Sequence, residues 1–196
     1  MAVDSEKIKQ LRAMTSAGMM DVKKALEETD GDIDKAVQLL RERGIIKAAK
    51  KMDRQASEGA VFSYIHHNGK LGVLLELNCE TDFVAMNEKF AELGKNIAMH
   101  IAASAPQYIR AEEVPEETIA AEREIQKQAL IEEGKPENAI EKILEGKIKK
   151  FVSEISLLDQ PFVKDPKTTI GDLIKEGVTA LGENISVARF TRYSIK

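Results

Sequence analysis

Residues 71–87 constrain this chain more than any other stretch. Leu71, Val73, Leu75 and Leu77 alternate along one face of a strand. Only a few residues, ending in Thr81-Asp82-Phe83, separate that strand from a helical pattern. So short a corner sets an acid and a large aromatic side by side on a rigid base. Thr81 or Asp82 suits the N-cap of the helix. On the local sequence alone, capping by one of these with Phe83 packed in the core is the commoner arrangement, because caps are frequent. Upstream, Ala60–His66 is rich in strand formers, and Asn68-Gly69 separates it from Leu71–Cys79. That dipeptide predicts a hairpin closed by a type I′ turn, which needs positive φ at both central residues. Downstream, Phe90, Leu93, Ile97 and Ile101 predict one helix over about 83–103.

The N-terminal segment, 4–43, predicts a bundle of short helices. Ile8 and Leu11 mark the first, Met19, Val22 and Leu26 the second, and Ile33, Val37 and Leu40 the third. Asp32 is placed to cap the third helix, and Gly44, just beyond Arg41 and Arg43, to stop it. Core packing would explain Met19, but two adjacent methionines cannot both face one core, so Met19 or Met20 should be exposed. A basic linker follows with Lys47, Lys50, Lys51 and Arg54. Such a run is usually a solvated helix end or a hinge.

Beyond residue 103, Glu133-Gly134-Lys135-Pro136 separates two further helices, with Pro136 suited to the first turn of the second. The first, 116–132, is weakly apolar, with Ile119, Ile125 and Leu130. The second carries Ile140, Ile143, Leu144, Ile148, Phe151, Val152 and Ile155, a broad face that anchors it. A short helix over 171–181 precedes a last strand, 184–195. Ile185 and Val187 share one face of that strand and Phe190 takes the other, as a bulge or a sheet covered on both faces would require.

Composition narrows the function classes. Hydrophobic content of 43% and charged content of 32% suit a globular protein with an ample core. No apolar run reaches the length of a membrane span. The N-terminus has neither the apolar stretch of a secretory signal nor the acid-poor character of a transit peptide. Cys79 is the single cysteine, which fits a reducing cytoplasm and a small buried side chain better than a nucleophile. The net charge of −4 argues against a general nucleic-acid role. His66 and His67 are adjacent, so on a strand they would point to opposite faces and bind one metal poorly. Gly69-Lys70-Leu71-Gly72 lacks the upstream glycine and the hydroxyl residue of a phosphate loop. No nucleophile–base set or carboxylate pair stands out, so a chain that makes or breaks covalent bonds is not expected and no cofactor is implied.

Several motifs, in order, resemble one family. They are Leu11-Arg12, Gly18-Met19-Met20-Asp21-Val22-Lys23-Lys24-Ala25-Leu26, Gly31-Asp32, Ile46-Lys47-Ala48-Ala49-Lys50-Lys51, the run Leu75–Asn87, and Ser156-Leu157-Leu158-Asp159-Gln160-Pro161-Phe162-Val163. Together these resemble elongation factor Ts over nearly the whole chain. The resemblance implies an α+β protein: a ubiquitin-associated-type three-helix bundle with its basic linker, 1–54, then a core and dimerisation domain, 55–196. That second part would hold a small three-stranded antiparallel sheet packed with helices and a helical hairpin, 116–155. The implied function is guanine-nucleotide exchange on elongation factor Tu in the cytoplasm, with no nucleic-acid or membrane partner. By resemblance the bundle grips through Arg12, Met19, Met20 and Lys23, and the Thr81-Asp82-Phe83-Val84 corner disturbs the partner's magnesium and phosphate site. His66, or His67 given the extra residue in His66-His67-Asn68-Gly69, would make a further contact, as would Leu181-Gly182. Longer members of the family carry two core units and this chain carries one, so those contacts would come from the second subunit of a homodimer. The competing expectation is a passive adaptor that uses the helical bundle as a binding module.

Overall fold

A computed structural model of the chain describes residues 5–15, 17, 19–49, 51 and 54–195, with backbone alone for 45–49. Gly18 and Lys50, singled out above, lie outside the described residues, as does the Lys47 side chain. The chain forms two compact units. The first comprises Met1–Phe62, Leu75–Lys95 and Asp172–Ala188, the second Ser63–Leu74, Asn96–Gly171 and Arg189–Lys196. Strands β1 (Glu58–Ile65), β2 (Leu71–Cys79) and β5 (Ile185–Ser194) form a sheet in the order β1-β2-β5, and each gives residues to both units. The expected α+β class, with a small antiparallel sheet and a three-helix N-terminal bundle, is the class observed.

In the first unit, helices α1 (Ser5–Thr15), α2 (Met19–Glu28) and α3 (Ile33–Ala49) build a core of their own. Leu11, Val22, Ala25, Leu26, Ala36 and Leu40 are buried there, with Ile8, Ile33 and Val37 packed against them. Asp32 caps α3 as expected: its Oδ1 accepts from the Lys35 backbone N–H at 3.1 Å. That bond, together with the Lys35 ammonium, holds the Asp32 carboxyl below its ordinary pKa. Gly44 does not stop the helix. It is buried within α3, and its carbonyl accepts from Thr179 Oγ1 at 3.0 Å. The glycine serves a close side-chain approach, and the backbone runs on helically through the start of the basic segment.

The same unit holds the buried stretch of β2 (Leu75, Leu77 and Cys79), the first two turns of helix α5 (Glu88–Ser104), and most of helix α8 (Ile170–Leu181). Phe62 from β1 meets Phe90 from α5 with ring centroids 5.8 Å apart in a tilted pair. The helix expected over 83–103 is two helices. A one-turn helix α4 (Asp82–Ala85) ends at Met86, and α5 starts afresh, with Asn87 Oδ1 accepting from Lys89 N at 2.9 Å and Asn87 O from Ala91 N at 3.0 Å. Asn87 caps a new helix where periodicity alone continues the old one.

The hairpin turn lies in the second unit. It is longer than the predicted two-residue turn: His66 N donates to Leu71 O and Gly69 N to His66 O, both at 2.8 Å. Gly69 takes φ +67, while Asn68 is absent from the positive-φ positions, so type I′ geometry is not formed. The turn opens at His66, so Asn68 is its third residue and Gly69 its fourth, where type I′ needs them second and third. His66 and His67 therefore leave the strand, and their rings lie with centroids 4.2 Å apart, not on opposite faces.

Helices α6 (Glu116–Glu132) and α7 (Glu137–Ile155) form the expected helical hairpin, with Leu130, Ile140, Leu144 and Ile148 buried and Ile119, Ile143 and Val152 packed against them. Ile125, expected on the apolar face, is exposed. Pro136 is the N-cap residue of α7, one place before the first turn. Strands β3 (Pro161–Phe162) and β4 (Asp165–Thr169) make a small antiparallel pair that periodicity did not reveal, being too short for alternation to show. In β5 Ile185 and Val187 are buried in the first unit, while Phe190 and Arg192 are partly buried in the second. The change of face follows the change of unit along one strand.

The 156–163 motif supplies the polar core of the second unit. Gln160 Oε1 lies 2.9 Å from Nε2 of the fully buried His100, and Gln160 Nε2 donates to Glu154 O at 2.6 Å. Val163 N–H donates to His100 Nδ1 at 3.3 Å, which selects the neutral Nε2–H tautomer. Burial lowers the His100 pKa from its ordinary 6.5, and the Gln160 bond opposes this in part. The unfolded chain therefore takes up a proton first as pH falls. His100 contributes stability above the unfolded value of 6.5 and loses it as pH drops from there toward the folded pKa. Urea midpoints should fall between about pH 7.5 and 5.5. His100→Gln should flatten that dependence, and an unchanged slope in the variant would assign the effect to other groups.

Candidate functional site

The corner between β2 and α4 is held from below. Cys79 ends the strand fully buried, and its Sγ donates to Thr81 O at 3.1 Å. Desolvation, helped by the nearby Glu183 carboxylate, pushes the Cys79 thiol pKa up, so this sulfur stays protonated and serves packing. Thr81 is the N-cap residue, extended at φ −131 and ψ 155, with Oγ1 accepting from Val84 N at 3.5 Å. That cap bond is long. The stronger restraint comes from Glu183: its Oε2 accepts from Thr81 N at 3.0 Å and Glu80 N at 3.2 Å, and its Oε1 from Thr81 Oγ1 at 2.7 Å.

Glu80 returns the contact. Its Oε1 accepts from Asn184 N at 2.6 Å and lies 3.7 Å from Arg54 Nη1. Asn184 Nδ2 in turn donates to Arg54 O at 2.6 Å. The β2–α4 corner and the α8–β5 corner thus exchange carboxylates, each acid satisfying the other's backbone N–H groups. Sequence reasoning missed Glu80, Glu183 and Asn184. Glu80 stands 103 residues from Glu183 and 104 from Asn184 in the chain, and no periodicity joins them.

On this base Val84 points inward and is buried. Phe83 and Met86 point outward, 82% and 80% exposed, and Asp82 is exposed beside them. Positions three apart on a helix share a face, so Phe83 and Met86 form one apolar surface. The core role for Phe83 that the local sequence favours is overturned. One turn of helix has room for a single inward anchor, and Val84 takes it.

The bundle shows a second apolar surface. Met19 and Met20 are 58% and 66% exposed at the start of α2, and Met14 is exposed near the end of α1. Core packing of Met19 is therefore overturned: Val22, Ala25 and Leu26 fill the inward positions of α2 and leave its first residues outside. Arg12 is exposed, as is Lys23, whose Nζ lies 3.9 Å from Glu27 Oε1.

Of the remaining predicted residues, His66 is half-buried, with Nδ1 3.0 Å from Tyr64 OH, and His67 is exposed. Leu181 is half-buried at the end of α8. Gly182 takes φ +83, its N–H donates to Val178 O at 2.9 Å, and its carbonyl accepts from Lys51 Nζ at 2.5 Å. Gly182 closes α8 directly before Glu183. Among the described residues no three His, Cys, Asp or Glu side chains come together as a metal site, and no helix is long and apolar enough to cross a membrane.

Comparison with known proteins agrees over the whole length. The family model described as "Elongation factor TS" matches residues 1–196. A relative from Thermosipho melanesiensis named "Elongation factor Ts" is 52% identical over 193 residues, covering 98% of this chain and 98% of its own. One of the same name from Geobacter sulfurreducens is 54% identical over 193 residues, covering 98% of this chain and 89% of its own. A third, from Fervidobacterium nodosum, is 51% identical over 195 residues, covering 100% of this chain and 99% of its own.

Proposed function

The chain belongs to the elongation factor Ts family, and from that membership we propose that it is a guanine-nucleotide exchange factor of protein synthesis, working in the cytoplasm. It binds elongation factor Tu, GDP-bound or nucleotide-free, and promotes GDP release without making or breaking a covalent bond. The observation that carries this reading is the exposure of Phe83, 82% in the free protein, on a corner fixed by hydrogen bonds. With Met86 exposed on the same face, Phe83 forms an apolar surface on a rigid base that a partner pocket would cover.

The thermodynamics is linkage. A factor that weakens its partner's grip on GDP must bind the nucleotide-free partner more tightly by the same ratio. Each tenfold weakening needs about 1.4 kcal/mol of differential contact. Burying Phe83 contributes about 1.5–3 kcal/mol, one to two decades, so further surfaces are needed. The bundle and its linker, 1–54, act as the gripping module through Arg12, Met19, Met20 and Lys23. Thr81 and Val84 hold Asp82-Phe83, which wedge at the partner's magnesium and phosphate site.

The core domain, 55–196, pairs with a second copy, and His66 or His67 with Leu181-Gly182 reaches the partner from that copy. Exposed apolar side chains on the second unit, Ile65, Leu74, Tyr193 and Ile195, support self-association. The test follows a fluorescent GDP analogue leaving elongation factor Tu, with the chain's mass measured by sedimentation in the same buffer. Accelerated release by a particle of about twice the chain mass is the expected result. Binding without acceleration would instead make the chain a passive adaptor, and full activity in a monomer would remove the two-subunit site.

A further inference from the structure

We propose that Glu183 is a positioning residue for exchange, clamping the Phe83 corner through Thr81 and the Glu80 backbone so that the exposed aromatic meets the partner already oriented. The inference rests on the exchange reading above and adds a residue to it. Helix α4 has a single turn of backbone bonds and a long 3.5 Å side-chain cap bond, and so short a helix is not stable by itself. Glu183 supplies what the helix lacks. Its two carboxylate oxygens accept from two consecutive backbone N–H groups and one hydroxyl, at 3.2, 3.0 and 2.7 Å. The reciprocal bond from Asn184 N to Glu80, at 2.6 Å, fixes the backbone on the other side.

A preorganised wedge spends none of its contact energy on ordering itself when it binds. A loosened corner would carry the same Phe83 side chain and lose part of its effect. Glu183 itself touches no substrate in this scheme and acts only through Thr81 and Glu80.

The test compares Glu183→Ala, Glu183→Gln and Phe83→Ala with the double variant Glu183→Ala/Phe83→Ala in the nucleotide-release assay, well below the unfolding midpoint. Glu183→Ala should lower the quantity that Phe83→Ala lowers, the saturated rate or the rate at limiting factor, about tenfold, equivalent to about 1.4 kcal/mol. Adding it to Phe83→Ala should change little, since both act through one wedge. Glu183→Gln keeps an oxygen for the two N–H groups and a nitrogen that donates to Thr81 Oγ1, so it should stay within about threefold of wild type. A structural residue with no positioning role would lower the unfolding midpoint and leave release unchanged at both low and saturating factor, or would add its loss fully to that of Phe83→Ala; either result overturns the proposal. Should Glu183→Ala not fold, Glu183→Asp decides, because the shortened side chain draws the carboxylate away from Thr81: a full rate in Glu183→Asp overturns the proposal and a reduced one supports it. A wild-type chain that does not accelerate release would fail the exchange reading itself and is seen before any variant is made.

Discussion

Replacing Phe83 by alanine should slow GDP release from elongation factor Tu by about one to two decades while leaving the protein folded. The size follows from burying a phenylalanine side chain in a partner pocket, about 1.5–3 kcal/mol at about 1.4 kcal/mol per decade. The fold should not notice, because the ring is 82% exposed and Val84 does the anchoring. Unfolding free energy should shift by no more than about 0.5 kcal/mol, as for most surface changes. The loss also reports when the contact forms. If Phe83 engages only as nucleotide leaves, the rate at saturating factor falls; if it engages in the first complex, the half-saturating concentration rises. Release at the wild-type rate, at both low and saturating factor, would remove the wedge from the mechanism. Met86, beside Phe83 on the same face and about as exposed, limits the effect, since it keeps part of the apolar surface when Phe83 is gone.

Gly59→Ala should be the most damaging single methyl group added to the first unit. Gly59 takes φ +151 in β1, and a Cβ there would lie 2.3 Å from Leu77 O and 2.8 Å from Asn78 Cα. Both neighbours are backbone of the adjacent strand, so no side chain can swing aside. Strain of about 1–3 kcal/mol from the backbone conformation adds to about 1–3 kcal/mol from forced movement of β2. Taking the lower half of that range, about 2–4 kcal/mol, the unfolding midpoint should fall by roughly 5–15 °C for a chain of this size. Circular dichroism on heating reads this directly. The displaced residues, Leu77 and Asn78, stand just before Cys79-Glu80-Thr81, so the variant should also slow exchange at temperatures where it remains folded. A midpoint within about 1 °C of wild type would mean that β2 yields more easily than its packing suggests.

Much of the architecture was legible in local pattern. Val22 and Leu26 in α2, Leu75 and Leu77 in β2, and Ile140, Leu144 and Ile148 in α7 all sit where periodicity put them. Such positions obey short-range rules: apolar spacing decides the face, and a cap such as Asp32 decides a start. The misses share a different cause. Gly44 reads as a stop because the close approach of Thr179 cannot be seen from the residues beside it. The helix over 83–103 reads as continuous because Asn87 is tolerated inside a helix as well as at its cap. The I′ turn at Asn68-Gly69 does not form because the turn opens at His66, which makes Asn68 its third residue and Gly69 its fourth.

The candidate site divides in the same way. Thr81-Asp82-Phe83 and the methionine pair stand out in the sequence because their residue types and order are unusual, and the family follows from such runs. Neither run says whether its side chains face inward or outward. Taken alone, the 81–84 segment favours Phe83 in the core. The tertiary structure decided the matter by giving the one inward place on α4 to Val84 and by bringing Glu183 and Asn184 against Glu80 and Thr81. Sequence determined most of the elements, the family and the identity of the corner. The aim of the corner depended on contacts between carboxylates and backbone groups about 100 residues apart, and such contacts exist only once the chain has folded around them.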